Sequence, residues 1–259
     1  MNIIVQKFGG TSVSTEDRRK QVAVKVKEAI DNGFTPIVVV SAMGRKGQPY
    51  ATDTLLTLID DKFKESNRNS KDLLMCCGEI ISSVVVANAL YNEGIQAVPL
   101  TGGQAGIITD DNFCEAEYIS IDIDRLLSVV REGKVPVVTG FQGITKDGYF
   151  TTLGRGGSDT TACILGNAVN AKEIEIYTDV DGIMTADPRI VEDASLIDEI
   201  TYNEVFQLAD QGAKVIHPKA IDLAKKGNIP LFIKNTMGES KGTLVSNNTI
   251  GNERRYITG

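Results

Sequence analysis

Short runs rich in Val and Ile alternate with stretches of helical period, and this alternation limits the fold more than any other feature of the chain. Residues 3–5, 36–40, 97–100, 135–139, 174–177 and 230–233 read as buried strands. Between the first two, Val22, Val26, Ala29 and Ile30 recur at helical spacing, and Gly33 is placed to close that helix. Helical patterns also fit 55–63, 73–91, 123–131, 159–169, 202–210 and 218–226. Strand and helix in regular succession imply an α/β fold, with a largely parallel sheet covered on both faces. Apolar flanks around Lys146-Asp147-Gly148 predict a hairpin over 141–150, so a few antiparallel strands should lie over the parallel sheet. The stretches 45–53 and 102–112 read as the longest loops, and a two-lobed division is expected to break between 152 and 171.

Composition narrows the functional classes. The 259 residues carry 34 acidic side chains against 27 Lys and Arg, a net charge of −7, and no basic block stands out. The footprint of a nucleic-acid binder is therefore missing. The apolar stretches, such as 82–90, read as too short to cross a bilayer. The opening Met-Asn-Ile-Ile-Val-Gln-Lys lacks the plan of a secretory signal, which leads to the expectation of a cytoplasmic protein. Cys76, Cys77, Cys114 and Cys163 show neither metal-ligand pairs nor a disulfide framework, and read as reduced, mostly buried thiols. A Ser-His-Asp or Cys-His mechanism has only His217 to use; the plainer reading of His217, before Pro218, is a residue at a helix start.

Three glycine-rich turns each follow a strand or open a helix. In Lys7-Phe8-Gly9-Gly10-Thr11-Ser12 the paired glycines let backbone N–H groups turn inward at a helix start, and Lys7 supplies a point charge for phosphate. The alternative is a plain strand-to-helix turn with Lys7 in solvent. In Gly154-Arg155-Gly156-Gly157-Ser158-Asp159-Thr160-Thr161, Ser158 or Asp159 can cap the helix, while three glycines around Arg155 permit close approach of backbone to a carboxylate or phosphate. In Thr178-Asp179-Val180-Asp181-Gly182, Asx-turn chemistry and nucleotide contact both remain open. The P-loop, dinucleotide-binding and protein-kinase patterns are all missing.

Five motifs occur in order: Lys-Phe-Gly-Gly-Thr-Ser-Val (7–13), Val-Val-Ser-Ala-Met-Gly (39–44), Gly-Phe-Gln-Gly (140–143), Thr-Thr-Leu-Gly-Arg-Gly-Gly-Ser-Asp-Thr-Thr (151–161) and Tyr-Thr-Asp-Val-Asp-Gly (177–182). Together they closely resemble the catalytic domain of the aspartate kinases, in the amino acid kinase family, across essentially the whole chain. The resemblance implies a three-layer α/β/α sandwich with a mainly parallel, about eight-stranded sheet. It implies a catalytic domain over 1–259, divided into an aspartate-binding lobe (about 1–155) and a nucleotide-binding lobe (about 156–246). The implied reaction moves the γ-phosphoryl group of ATP to the β-carboxylate of L-aspartate, with Mg²⁺, giving 4-phospho-L-aspartate and ADP on the route to lysine, threonine and methionine. An aspartate side chain is already ionised at pH 7, so such a nucleophile needs no general base, which suits a chain with one histidine.

Carried over residue by residue, the resemblance makes Lys7, Gly9 and Gly10 a phosphate cradle with Ser41 nearby. Thr52, Glu79, Phe141, Arg155, Ser158 and Asp159 fall on the aspartate site, with Arg155 for the α-carboxylate and Glu79 for the ammonium group. Asp159 either orients the cationic groups or meets the substrate amine. Thr178, Asp179, Met184, Arg189 and Lys214 fall on the nucleotide side, with Lys214 reaching the phosphates. Lys7, Asp159 and Lys214 are the expected catalytic groups, and no protein metal ligands are assigned. Met184 stands where many relatives carry an aromatic residue. Relatives usually continue into paired ACT regulatory domains, and such a portion is not expected within these 259 residues. A homodimer and a separate ACT regulatory chain stay open as partners. A sister kinase for another carboxylate or carbamate, and a non-catalytic paralogue, are the rival readings.

Overall fold

A computed structural model describes residues 1–186, 190–210 and 216–247, with the side chain of residue 210 excepted. Its strands are β1 (Ile3–Phe8), β2 (Thr35–Val40), β3 (Ala97–Leu100), β4 (Ile107–Thr109), β5 (Tyr118–Ile121), β6 (Val135–Thr139), β7 (Gln142–Ile144), β8 (Phe150–Thr152), β9 (Glu173–Thr178), β10 (Glu199–Thr201), β11 (Leu231–Asn235) and β12 (Thr243–Ser246). Its helices are α1 (Glu16–Asp31), α2 (Thr52–Leu55), α3 (Asp61–Ser66), α4 (Arg68–Asn92), α5 (Asp124–Arg131), α6 (Gly157–Ala168), α7 (Tyr202–Asp210) and α8 (Pro218–Gly227).

An eight-stranded sheet runs in the order β10-β12-β11-β9-β1-β2-β6-β3, and within it only the β11–β12 pair is antiparallel. The apolar runs are its central strands, since both faces of the sheet are covered; the buried polar exceptions Gln6 of β1 and Glu175 of β9 hydrogen-bond each other at 2.8 Å. One face carries Phe8, Val38, Val40 and Val137 against Val22 and Val26 of α1 and Val86 and Leu90 of α4. The other carries Val5, Ile37, Val39, Ile174 and Ile176 against α5, α6, α7 and α8. Helix, sheet and helix make the expected three layers. The hairpin over 141–150 is β7 paired with β8, part of a second sheet in the order β5-β4-β7-β8.

Four local differences have clear causes. Residues 55–63 form two helices joined by a 3₁₀ turn (Leu56–Leu58), because Asp60 starts a new helix by accepting the Phe63 N–H at 2.8 Å. Part of the expected loop 102–112 is the short strand β4, paired with β5. The N-cap of α6 falls two to three residues ahead of the residues expected to cap it: it is Gly156, in left-handed backbone, and Ser158 and Asp159 lie in the first turn. The apolar stretch at 82–90 belongs to the 25-residue α4, which by length and composition alone is enough to cross a bilayer; half of its apolar window is buried against the sheet as a core helix. His217 is the N-cap of α8, its Nδ1 accepting the Lys219 N–H at 3.3 Å with Pro218 next in line. No disulfide joins the cysteines: Cys76 and Cys163 are buried, Cys77 and Cys114 half-buried.

Candidate functional site

In the large sheet β1 lies between β2 and β9, so chain connections leave it in both directions. Such a switch point opens a crevice at the carboxyl ends of the strands. Lys7, Gly9 and Gly10 stand at the end of β1, Ser41 at the end of β2, Phe141 beyond β6, and Thr178 and Asp179 at the end of β9. The sheet thus gathers four motifs that are far apart in sequence.

Strand parity then decides where Lys7 points. It shares a face with Val5, toward α6, and its Nζ meets Asp159 Oδ1 at 2.7 Å from the first turn of that helix. Both side chains are nearly buried, 11% and 13% exposed, which makes the pair a fixed part of the site. Gly10 is needed for close approach: a Cβ there would stand 2.5 Å from the Ala42 carbonyl oxygen. That contact lets the 41–44 loop fold over the end of β1, held by Gly44 N–H donating to Gly10 O at 2.9 Å. Gly156 is required by its φ of +72° and by a neighbour, since a Cβ would lie 2.2 Å from His217 Cβ. No side chain caps α6; the Gly157 N–H donates to Gly154 O at 3.1 Å, and the positive end of the helix at Gly157, Ser158 and Asp159 lines the crevice.

A cleft of about 390 Å³ is lined by Lys7, Gly10, Ser41, Thr52, Glu79, Phe141, Arg155, Ser158 and Asp159, nine of the residues expected from sequence. Glu79, on the inward face of α4, is 3% exposed. Its Oε1 accepts the Ala42 N–H at 3.1 Å, and Oε2 is buried without a partner among the described residues. Burial pushes the Glu79 carboxyl up to about 8, against the lowering effect of the Ala42 N–H. The unpartnered Oε2 of this buried acid can take a further hydrogen-bond donor or a cation. Arg155 lines the same cleft and is exposed, with no partner among the described residues. Phe141 holds a left-handed φ of +72°, secured by its N–H donating to Thr161 Oγ1 at 3.0 Å and by its carbonyl accepting from the Leu153 N–H at 2.8 Å.

The remaining expectations divide. Gly9 stands one residue behind the cleft, its N–H on Tyr177 O at 3.2 Å. Thr178 and Asp179 sit at the rim, where Asp179 Oδ2 pairs with Arg45 at 2.5 Å. Met184 makes a short antiparallel bridge with Leu196 and does not line this cleft. Arg189 and Lys214 lie outside the described residues. The loop expected at 45–53 adds Arg45, Lys46 and Asp53 to the lining, and Gly44, Gly154 and Gly157 join them. Two cations beside a glycine turn were the available signal for the first pair. Partial burial lowers the pKa of His217, and its ring nitrogen Nδ1 is committed to the helix cap. Cys76 is likewise held as a neutral thiol by burial and by the nearby Glu79 and Asp72. Among the described residues no group of three or more His, Cys, Asp or Glu is arranged to hold a metal ion.

The structure is an α/β sandwich whose switch-point crevice joins a cationic strand end to the start of a helix. The chain belongs to the amino acid kinase family, whose profile matches residues 2–235. It is 49% identical over 264 residues to aspartokinase 1 of Bacillus subtilis (strain 168), covering all of this chain and 65% of that protein. The chain therefore spans just under two thirds of that relative. Among solved structures, aspartate kinase from Synechocystis superposes with a TM-score of 0.80 at 42% identity, covering 95% of this chain and 40% of that one. E. coli aspartokinase III in complex with aspartate and ADP (R-state) gives 0.82 at 30% identity, covering 95% and 65%.

Proposed function

We propose that the chain transfers the γ-phosphoryl group of ATP to the β-carboxylate of L-aspartate, giving 4-phospho-L-aspartate and ADP, the first step towards lysine, threonine and methionine. One observation carries the reading: the buried Lys7–Asp159 pair opens into the same cleft as Glu79 and Arg155. In this reading Arg155 takes the α-carboxylate and Glu79 the ammonium group, which leaves the β-carboxylate pointing at Lys7. Thr52, Phe141 and Ser158 form the walls. Gly9, Gly10, Ser41, Arg45 and the first turn of α6 receive the phosphates, with Thr178, Asp179, Met184, Arg189 and Lys214 toward the nucleotide.

A carboxylate oxygen attacks the γ-phosphorus, the bond to the β,γ-bridging oxygen breaks, and ADP leaves with that electron pair. No proton has to be removed from the nucleophile. Catalysis then consists of alignment and charge neutralisation. Asp159 holds Lys7 Nζ in place and limits its freedom before the nucleotide arrives. Mg²⁺ would fit here as an ion carried on the nucleotide, since it is commonly held by one or two carboxylates plus substrate phosphates, and Asp159 in the cleft and Asp179 beside Arg45 would be the carboxylates to hold it. There it supplies positive charge against the phosphate oxygens.

The lobes about 1–155 and 156–246 are proposed as the aspartate and nucleotide halves, and the protein as cytoplasmic. Homodimerisation and regulation by ACT domains, in cis or on a separate chain, belong to the same proposal; what supports the latter is the greater length of the relatives. A panel of L-aspartate, L-glutamate, succinate and carbamate, scored by ADP release as kcat/KM, tests the acceptor. L-Aspartate should lead by at least ~10²-fold, because succinate leaves Glu79 unpaired. Preference for another acceptor makes the chain a sister kinase, and nucleotide binding without turnover makes it a non-catalytic paralogue.

A further inference from the structure

Asp72 lies on α4 seven residues before Glu79, which is two turns and about 10 Å along the same face. It is fully buried. Its Oδ2 accepts the Thr152 N–H and the Cys114 N–H, each at 2.9 Å, and its Oδ1 accepts the Thr152 hydroxyl at 2.9 Å. No cation pairs with it among the described residues. An aliphatic side chain would pack α4 on β8 without burying a charge. What the carboxylate adds is direction, because three donors fix one orientation.

The donors identify what is being fixed. Thr152 ends β8, three residues before Arg155, and the intervening Gly154 has left-handed backbone, as does Gly156 beyond. Cys114, itself left-handed, belongs to the loop that lies against Gly154, where a Cβ would stand 3.6 Å from Cys114 O. Arg155 is thus mounted on a short glycine-flanked loop whose root is tied to α4 through Asp72. Glu79 is mounted on α4 itself. We propose that Asp72 is a positioning residue that sets the separation of Arg155 from Glu79 and so gauges the distance between carboxylate and ammonium in the amino-acid acceptor. The inference rests on the function proposed above.

The test is steady-state kinetics on the full chain. Asp72→Asn replaces an acceptor of three hydrogen bonds by an amide that turns a donor on donors. KM for L-aspartate should rise roughly 10- to 100-fold, with KM for ATP within about twofold. In a Glu79→Gln background, where one jaw is gone, the same change should raise KM less than about threefold further. Thr152→Val removes one bond and should raise KM for L-aspartate roughly three- to tenfold, and it decides the matter if Asp72→Asn does not fold. Hydrogen exchange of amides 152–157 should accelerate in both variants, a readout independent of turnover. Equal rises in both KM values, an unchanged KM for L-aspartate in a folded variant, or unchanged exchange at 152–157 overturns the role. If wild type shows no turnover with L-aspartate, the proposed function fails instead, and exchange still judges Asp72.

Discussion

Raising the pH from 6 to 8 is expected to tighten L-aspartate binding, because the acceptor's ammonium group needs an ionised Glu79. The free carboxyl is held up at about 8 by burial, so at pH 7 about one site in ten is ionised. The apparent KM then scales as one plus the ratio of neutral to ionised Glu79. That factor falls roughly fifty-fold between pH 6 and pH 8, if pairing with the ammonium keeps Glu79 ionised in the complex throughout. Calorimetry at pH 7 in two buffers of different ionisation enthalpy should show about 0.9 proton released per L-aspartate bound. Glu79→Gln removes the titrating group: its KM should be higher than wild type at pH 8 by roughly 30-fold or more, and flat across the range. A wild-type KM independent of pH between 6 and 8, or a Glu79→Gln variant that keeps the slope, refutes the reasoning.

The same shift has a consequence for stability. Unfolded Glu79 titrates near 4.5 and folded Glu79 near 8, so the unfolded chain loses the proton first, and Glu79's contribution to stability should decline as pH rises through that window. Urea titrations of wild type and Glu79→Gln should diverge with pH, and parallel curves contradict the burial argument. Lys7→Met should lower kcat by roughly 10²–10³-fold, the loss of one preorganised charge donor; an unchanged kcat makes the Lys7–Asp159 pair structural only. Arg155→Ala should raise KM for L-aspartate while leaving KM for ATP and the melting temperature in place, because the side chain is exposed and unpaired among the described residues. Gly156→Ala forces a Cβ into left-handed backbone and against His217, and should cost roughly 2 kcal/mol or more in denaturant. A loss under about 0.5 kcal/mol contradicts that geometry.

The parallel sheet was legible because strands buried on both faces are mostly apolar, Gln6 and Glu175 being exceptions that hydrogen-bond each other. Lys7 stood out as an ionisable group near the end of the first strand, with Gly9 and Gly10 just beyond Phe8. Short β4 and β5 carried no such signal. Three or four residues, mostly exposed as at Tyr118–Ile121, carry too little pattern to read as a strand. The break inside 55–63 depended on whether Asp60 would cap a new helix or ride on an old one, which periodicity does not decide. Glu79 could be placed by motif but not by physics, since helical period alone puts a glutamate in solvent. Its burial arises from how α4 crosses under Ala42, a tertiary fact. Asp72 was invisible for the same reason. Arg45 and Lys46 sat in a stretch without period, and only the fold of the 41–44 loop turns them into the cleft.

The central claim is that this cleft brings an ionised side-chain carboxylate into line with the γ-phosphorus of ATP. Incubating the folded chain with ATP, Mg²⁺, L-aspartate and hydroxylamine tests it most directly, because an acyl phosphate formed at the β-carboxylate is captured as aspartyl β-hydroxamate. The account predicts hydroxamate accumulating in step with ADP and lost in Lys7→Met. ADP release without hydroxamate, or no hydroxamate above a no-enzyme control, contradicts it.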